Sequence, residues 1–138
     1  GYEWRDVSKI LGGYAMGTNL EANLLERIDL LYQTNQINDY VYEKLPSLLK
    51  RVEVYLQITL SEENAGSFVS HLAIALQRIM QNAPVQEVSD EVKALTDKHP
   101  EFYQFAGEIL ALPGTESVNC HAEASFVTLY LCLLSGKE

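Results

Sequence analysis

Three histidines (His71, His99 and His121) and two cysteines (Cys120 and Cys132) are the side chains here best suited to nucleophilic, proton-transfer or metal chemistry. A metal site needs such ligands clustered at coordinating spacing, and the histidines are dispersed along the chain. The one local cluster is Cys120-His121-Ala122-Glu123. It reads better as a helix entrance, with Glu123 in the first turn where the helix dipole favours negative charge. No metal and no cofactor is expected. A phosphate-cradling glycine loop is also unsupported, because Gly12-Gly13 has no strand before it. Cys120 and His71 could be paired on paper as nucleophile and base, but no spacing supports the pair. His71 is left as the residue to place.

His71 lies in the stretch that organises the chain, Leu60 to Gln81, LSEENAGSFVSHLAIALQRIMQ. Ser61 can cap its start by accepting a backbone N–H. Glu62 and Glu63 follow in the first turn. Ala65, Phe68, Val69, Leu72, Ala75, Leu76 and Ile79 recur at helical spacing and form one apolar stripe. His71 falls just outside that stripe, between Ser67 and Arg78. An imidazole there is shielded on one side and reachable on the other. Pattern alone favours a structural histidine over a reactive one. A general-base role would need a carboxylate partner and a pocket, and no spacing supplies them. The chain is therefore not expected to be an enzyme.

The other helices can be read around this one. Leu20, Leu24, Ile28 and Leu31 step by three and four residues, giving a first helix over about 19–33, with Thr18 and Glu21 at capping-box spacing. Asn38-Asp39 opens a second, whose face Val41, Leu45, Leu48, Leu49, Val52 and Leu56 continues past Pro46 as a kinked helix. Ser89-Asp90-Glu91 starts a short fourth helix with Val92 and Leu95. Pro100 sits well at the first turn of a fifth, with Phe102, Phe105, Ala106, Ile109 and Leu110 inward and Pro113-Gly114 as its end. A last helix spans about 122–134, with Phe126, Val127, Tyr130, Leu131 and Leu134 apolar at helical spacing. No strand alternation is evident. The expected fold is an all-α bundle of five or six antiparallel helices. Tyr32, Tyr40 and Tyr42 near the first turn could add to a protein contact surface.

Composition bounds the rest. With 138 residues and 47% hydrophobic content the chain can bury one core, so residues 18–138 are expected to form a single domain. Residues 1–17 read as a lead-in, broken by glycines and either disordered, docked through Trp4, Ile10 and Leu11, or carried over from an expression vector ahead of Met16. No apolar run approaches the roughly 18 residues of a membrane span, and no secretory signal is evident. Two cysteines make no disulfide framework, which suits a reducing compartment such as a bacterial cytoplasm. The formal net charge of −9, without a basic cluster, argues against direct nucleic-acid binding.

LSEENAGSFVSHLAIALQRI resembles a helix of the PTS-regulation domain, the PRD of bacterial transcriptional antiterminators and activators. It has an acidic-Asn start, an aromatic, then His-Leu and later Gln-Arg. LLERIDLLYQTNQINDYVYEKL is similar to that family's first two helices, and PEFYQFAGEIL to its penultimate one; the likeness runs from about Leu20 to Leu134. The resemblance implies a PRD-like helical bundle, acting as a homodimer under control of the sugar phosphotransferase system. It implies that His71 accepts a phosphoryl group from the phosphocarrier protein or a sugar-transporter subunit, and this reverses the structural reading of His71. Arg78, about 10 Å further along the same helix edge, is then the candidate partner for the new charge, unless it serves a neighbouring helix. The sequence departs from the family in the last helix, where Tyr130 stands at the expected place of a second histidine. Tyr130 thus marks a degenerate second phosphosite, with His121 a weak substitute. The resemblance leaves a rival reading, a PRD-fold interaction module that has lost its switch. It also leaves open whether the chain is a piece of a larger regulator.

Overall fold

A computed structural model describes residues 20–137 as six helices, with no strand among the described residues. They are α1 Ala22–Gln33, α2 Asp39–Leu56, α3 Glu62–Met80, α4 Asp90–Lys98, α5 Pro100–Leu110 and α6 His121–Ser135. The fold is the all-α bundle expected. The lead-in at 1–17 and the cap at Thr18 lie outside the described residues.

Side-chain caps read from local sequence mark three of the six helix starts, at Asn38, Ser61 and Ser89. Asn38 caps α2 by accepting the Val41 N–H at 2.9 Å. Ser61 and Asn64 make a reciprocal capping box at the start of α3, in which Ser61 accepts from the Asn64 N–H and Asn64 accepts from the Ser61 N–H. Pro46 lies inside α2, which runs unbroken through it. Burial of Leu45 and Leu49 on either side outweighs the lost backbone donor. Glu53 is buried at the end of α2, where its carboxylate accepts the Leu60 N–H at 2.8 Å and holds the turn into α3.

Two helix ends differ from the sequence reading. α1 begins at Ala22, not near residue 19, and its N-cap Glu21 makes no side-chain cap. Glu21 instead reaches across to accept the Glu62 N–H at 2.6 Å, capping α3 from outside. α5 ends at Leu110, short of Pro113-Gly114.

α3 is the central element. It packs against α1, α2, α5 and α6, and every residue of its expected stripe is buried. α6 packs on α3, α4 and α5. Because α6 has neighbours on several sides, its buried set is broader than one stripe and includes Glu123, Ser125 and Thr128. The two hydroxyls are satisfied within the helix, Ser125 donating to the His121 carbonyl and Thr128 to the Ala124 carbonyl. Phe126, Tyr130 and Leu134, expected on the inner face, are only half-buried. Phe126 and Tyr130 lie along the seam with α3.

Candidate functional site

The α3–α6 seam gathers the reactive residues. α3 supplies Ser67, His71 and Arg78 on one edge, because positions four and seven apart stack along a helix. α6 supplies Glu123, Phe126 and Tyr130 opposite.

The His71 ring is half-buried and packs against Phe126 and Tyr130, with ring centroids 5.8 and 5.2 Å away. Its Nε2 is sealed from solvent and has no hydrogen-bond partner. Burial, and then the Arg78 charge, hold its pKa below the ordinary 6.5, against a smaller pull upward from Glu123. The ring is therefore a neutral imidazole near pH 7, with a free lone pair or N–H facing the seam. The Tyr130 hydroxyl lies 3.2 Å from the Ser67 hydroxyl, so this residue bridges the two helices across the histidine's edge.

Below His71 lies a fully buried carboxylate. Glu123 has no exposed side-chain surface, whereas Arg78 keeps 30% of its own. Arg78 grips Glu123 with a two-bond fork, Nε to Oε2 at 2.8 Å and Nη2 to Oε1 at 3.0 Å. The Val85 N–H donates to the same Oε2 at 2.8 Å, tying the segment after α3 to α6. That fork raises the Arg78 pKa above its ordinary value. Arg78 thus serves a neighbouring helix in this state. Glu123 does sit in the first turn of α6, but the sequence reading missed its burial and its partner.

A second arginine approaches α3 from α1. Arg27 donates to the Ser70 hydroxyl at 2.8 Å and forms an ion pair with Glu62, both partly exposed. Arg27 draws the Glu62 carboxyl below the usual carboxylate range. No sequence signal marks this pair, whose members are 35 residues apart.

The remaining candidates lie elsewhere. His121 is exposed at the start of α6, with Nδ1 2.7 Å from the Tyr103 hydroxyl. The Cys120 thiol donates to the Val118 carbonyl, and burial raises its pKa. Cys120, His121 and Glu123 turn to three different partners and do not converge. Tyr32 and Tyr42 stack at 4.3 Å and donate to Asp39 and Asp29, bracing α1 on α2. No helix among the described residues is long and apolar enough to cross a membrane.

A family model described as PRD domain matches residues 46–131. The matched span runs from mid-α2 into α6 and contains His71, Arg78, Glu123 and Tyr130. Comparison with curated proteins gave no match, and neither did comparison with solved structures.

Proposed function

The chain belongs to the PRD domain family, and on that premise we propose that it is a phosphorylation-responsive regulatory domain of the bacterial sugar phosphotransferase system, with His71 as its acceptor. A domain of this family is a regulatory element of that system. The observation supporting His71 in particular is its setting, a half-buried imidazole packed on Phe126 and Tyr130 at a helix–helix seam, where burial holds its pKa below the ordinary 6.5. In the reaction the imidazole lone pair attacks the phosphorus of a donor phosphohistidine. The donor P–N bond breaks, a P–N bond to His71 forms, and the His71 ring proton leaves to the departing donor ring or to water. The donor is the phosphocarrier protein or a sugar-transporter subunit.

The product adds up to about −2 of charge at the margin of a packed seam. Such a charge biases one packing against another, here between protomers of a homodimer or between the domain and a protein partner. Arg78, on the same edge of α3 and held by Glu123 in this state, is the cation we assign to support it. The domain acts in the cytoplasm as an acceptor and not as an enzyme. Its net charge of −9 favours protein partners over direct nucleic-acid contact.

The test is transfer of labelled phosphate from phosphoenolpyruvate through the general phosphotransfer proteins. Wild type should acquire an acid-labile, base-stable label, and His71→Ala should not. No label on wild type, or equal label on both, would overturn the reading. Tyr130 favours one rival: in place of a second histidine it packs on His71 and joins Ser67, as expected of an interaction module that keeps the fold without the switch. Labelling with no change in oligomeric state or partner binding would support that rival.

A further inference from the structure

We propose that a phosphoryl group on His71 is read out by an exchange of partners, in which Arg78 leaves Glu123 for the phosphoryl oxygens and the segment after α3 is released from α6. The proposal rests on His71 being the acceptor, and adds what happens next.

Arg78 can make this move. It lies seven residues after His71 on α3, nearly the same angular position, about 10 Å further along the axis. Helical side chains lean toward the N-terminus, so the Arg78 side chain leans back toward His71. Its long apolar stem gives it reach. It is also the solvent-accessible member of its pair, with 30% of its side chain exposed against none for Glu123. Both groups already act on the His71 ring, since Arg78 disfavours the imidazolium and Glu123 favours it.

The competition favours the phosphoryl group. It carries up to about twice the charge of a carboxylate and offers three acceptor oxygens to the same guanidinium fork. Among the described residues, Glu123 is then left fully buried with one donor, the Val85 N–H. An unpaired buried charge is strongly unfavourable. The first turn of α6 must open to hydrate it, and the carboxylate then gives up Val85. That frees the 81–89 connection between α3 and α4, which Glu123 otherwise ties to α6. A charge placed on one edge of α3 so becomes a mechanical change in a different part of the surface.

The test loads His71 without any donor protein, using phosphoramidate. Its P–N bond breaks as the imidazole nitrogen attacks phosphorus, and the ring proton leaves with ammonia. The 15N-labelled chain is compared before and after loading, with the site of phosphate mapped by mass spectrometry. The Val85 amide should exchange with solvent about tenfold faster once His71 is loaded, and the Arg78 Nε–H resonance should shift. Both changes should be absent in His71→Gln treated alike, and both should reverse as the phosphate hydrolyses. In Glu123→Gln the Arg78 resonance should start away from its wild-type position, and loading should leave Val85 exchange unchanged. Loaded His71 with unchanged Val85 and Arg78 overturns the exchange and leaves the acceptor reading intact. Loading and exchange by phosphoramidate, without labelling from phosphoenolpyruvate, overturns the regulatory reading and leaves the exchange standing. A His71 that neither phosphoramidate nor transfer from phosphoenolpyruvate can load overturns both.

Discussion

α3 carries one arginine–carboxylate fork at each end, and the two have opposite consequences. At the N-terminal end Arg27 holds Glu62 with side-chain exposures of 33% and 38%. At the C-terminal end Arg78 holds Glu123 with 30% and 0%. The chemistry is the same and the dielectric is not. Water can solvate either member of the first pair when the other is removed. In the second, only Arg78 has that alternative. A pair of this second kind contributes little net stability but is costly to break from one side, which is what a switch requires. The exposed pair is an accessory brace between α1 and α3.

The largest effect that separates the two regions is removal of Arg78. Arg78→Met should destabilise the domain by about 3–5 kcal/mol, because it strands a buried carboxylate. Glu123→Gln should cost less, about 1–3 kcal/mol, because Arg78 can turn to solvent. The double variant Arg78→Met with Glu123→Gln should cost far less than the two single losses summed. Urea unfolding of the four proteins measures this. Equal costs for the two single variants would remove the asymmetry on which the comparison stands.

A second expectation concerns acid. Burial depresses the His71 pKa in the folded chain, so the unfolded chain binds this proton more readily. The His71 contribution to stability is therefore complete above the unfolded value of about 6.5 and is lost as pH falls below it. The difference in unfolding free energy between wild type and His71→Gln should shift against wild type between pH 7 and pH 5. A shift of the opposite sign would mean that the ring is stabilised as imidazolium.

The smallest effects belong to the exposed pair. Arg27→Ala should cost no more than about 1 kcal/mol and should lose that effect in high salt. Gly66→Ala sharpens the point. A methyl at Gly66 would come nearest the tips of Arg27 and Glu62, at 2.8 Å each, which are the far ends of flexible side chains. The gain in helix propensity, up to about 1 kcal/mol, should offset the displaced pair and leave stability within about 0.5 kcal/mol of wild type. Thermal unfolding at low and high salt checks both variants.

The same contrast explains what was legible in the sequence. Features written in local periodicity were plain. The α3 stripe, the Ser61 and Asn38 caps and the inward face of α5 stand where spacing put them. α6 was harder, because neighbours on several sides bury polar and apolar positions alike and no single face is privileged. Its Phe126 and Tyr130 looked like core and are instead the wall of the seam against His71. The edge position of His71 could be read from the stripe it just misses. Its unpartnered Nε2 could not, since that depends on rings 55 and 59 residues away. Glu123 shows the limit best. A glutamate in a first helix turn has a sufficient local explanation, and nothing nearby in sequence announces an arginine 45 residues earlier.

The central claim is that one imidazole among three receives the phosphoryl group, and mapping the phosphate tests it most directly. Wild-type chain should be incubated with phosphoenolpyruvate and the general phosphotransfer proteins near pH 7.5. It should then be digested under mildly basic conditions and sequenced by electron-transfer mass spectrometry. Phosphate on His71, with His99 and His121 unmodified, is the result this account requires. Phosphate on His121 or His99 with His71 bare would contradict it.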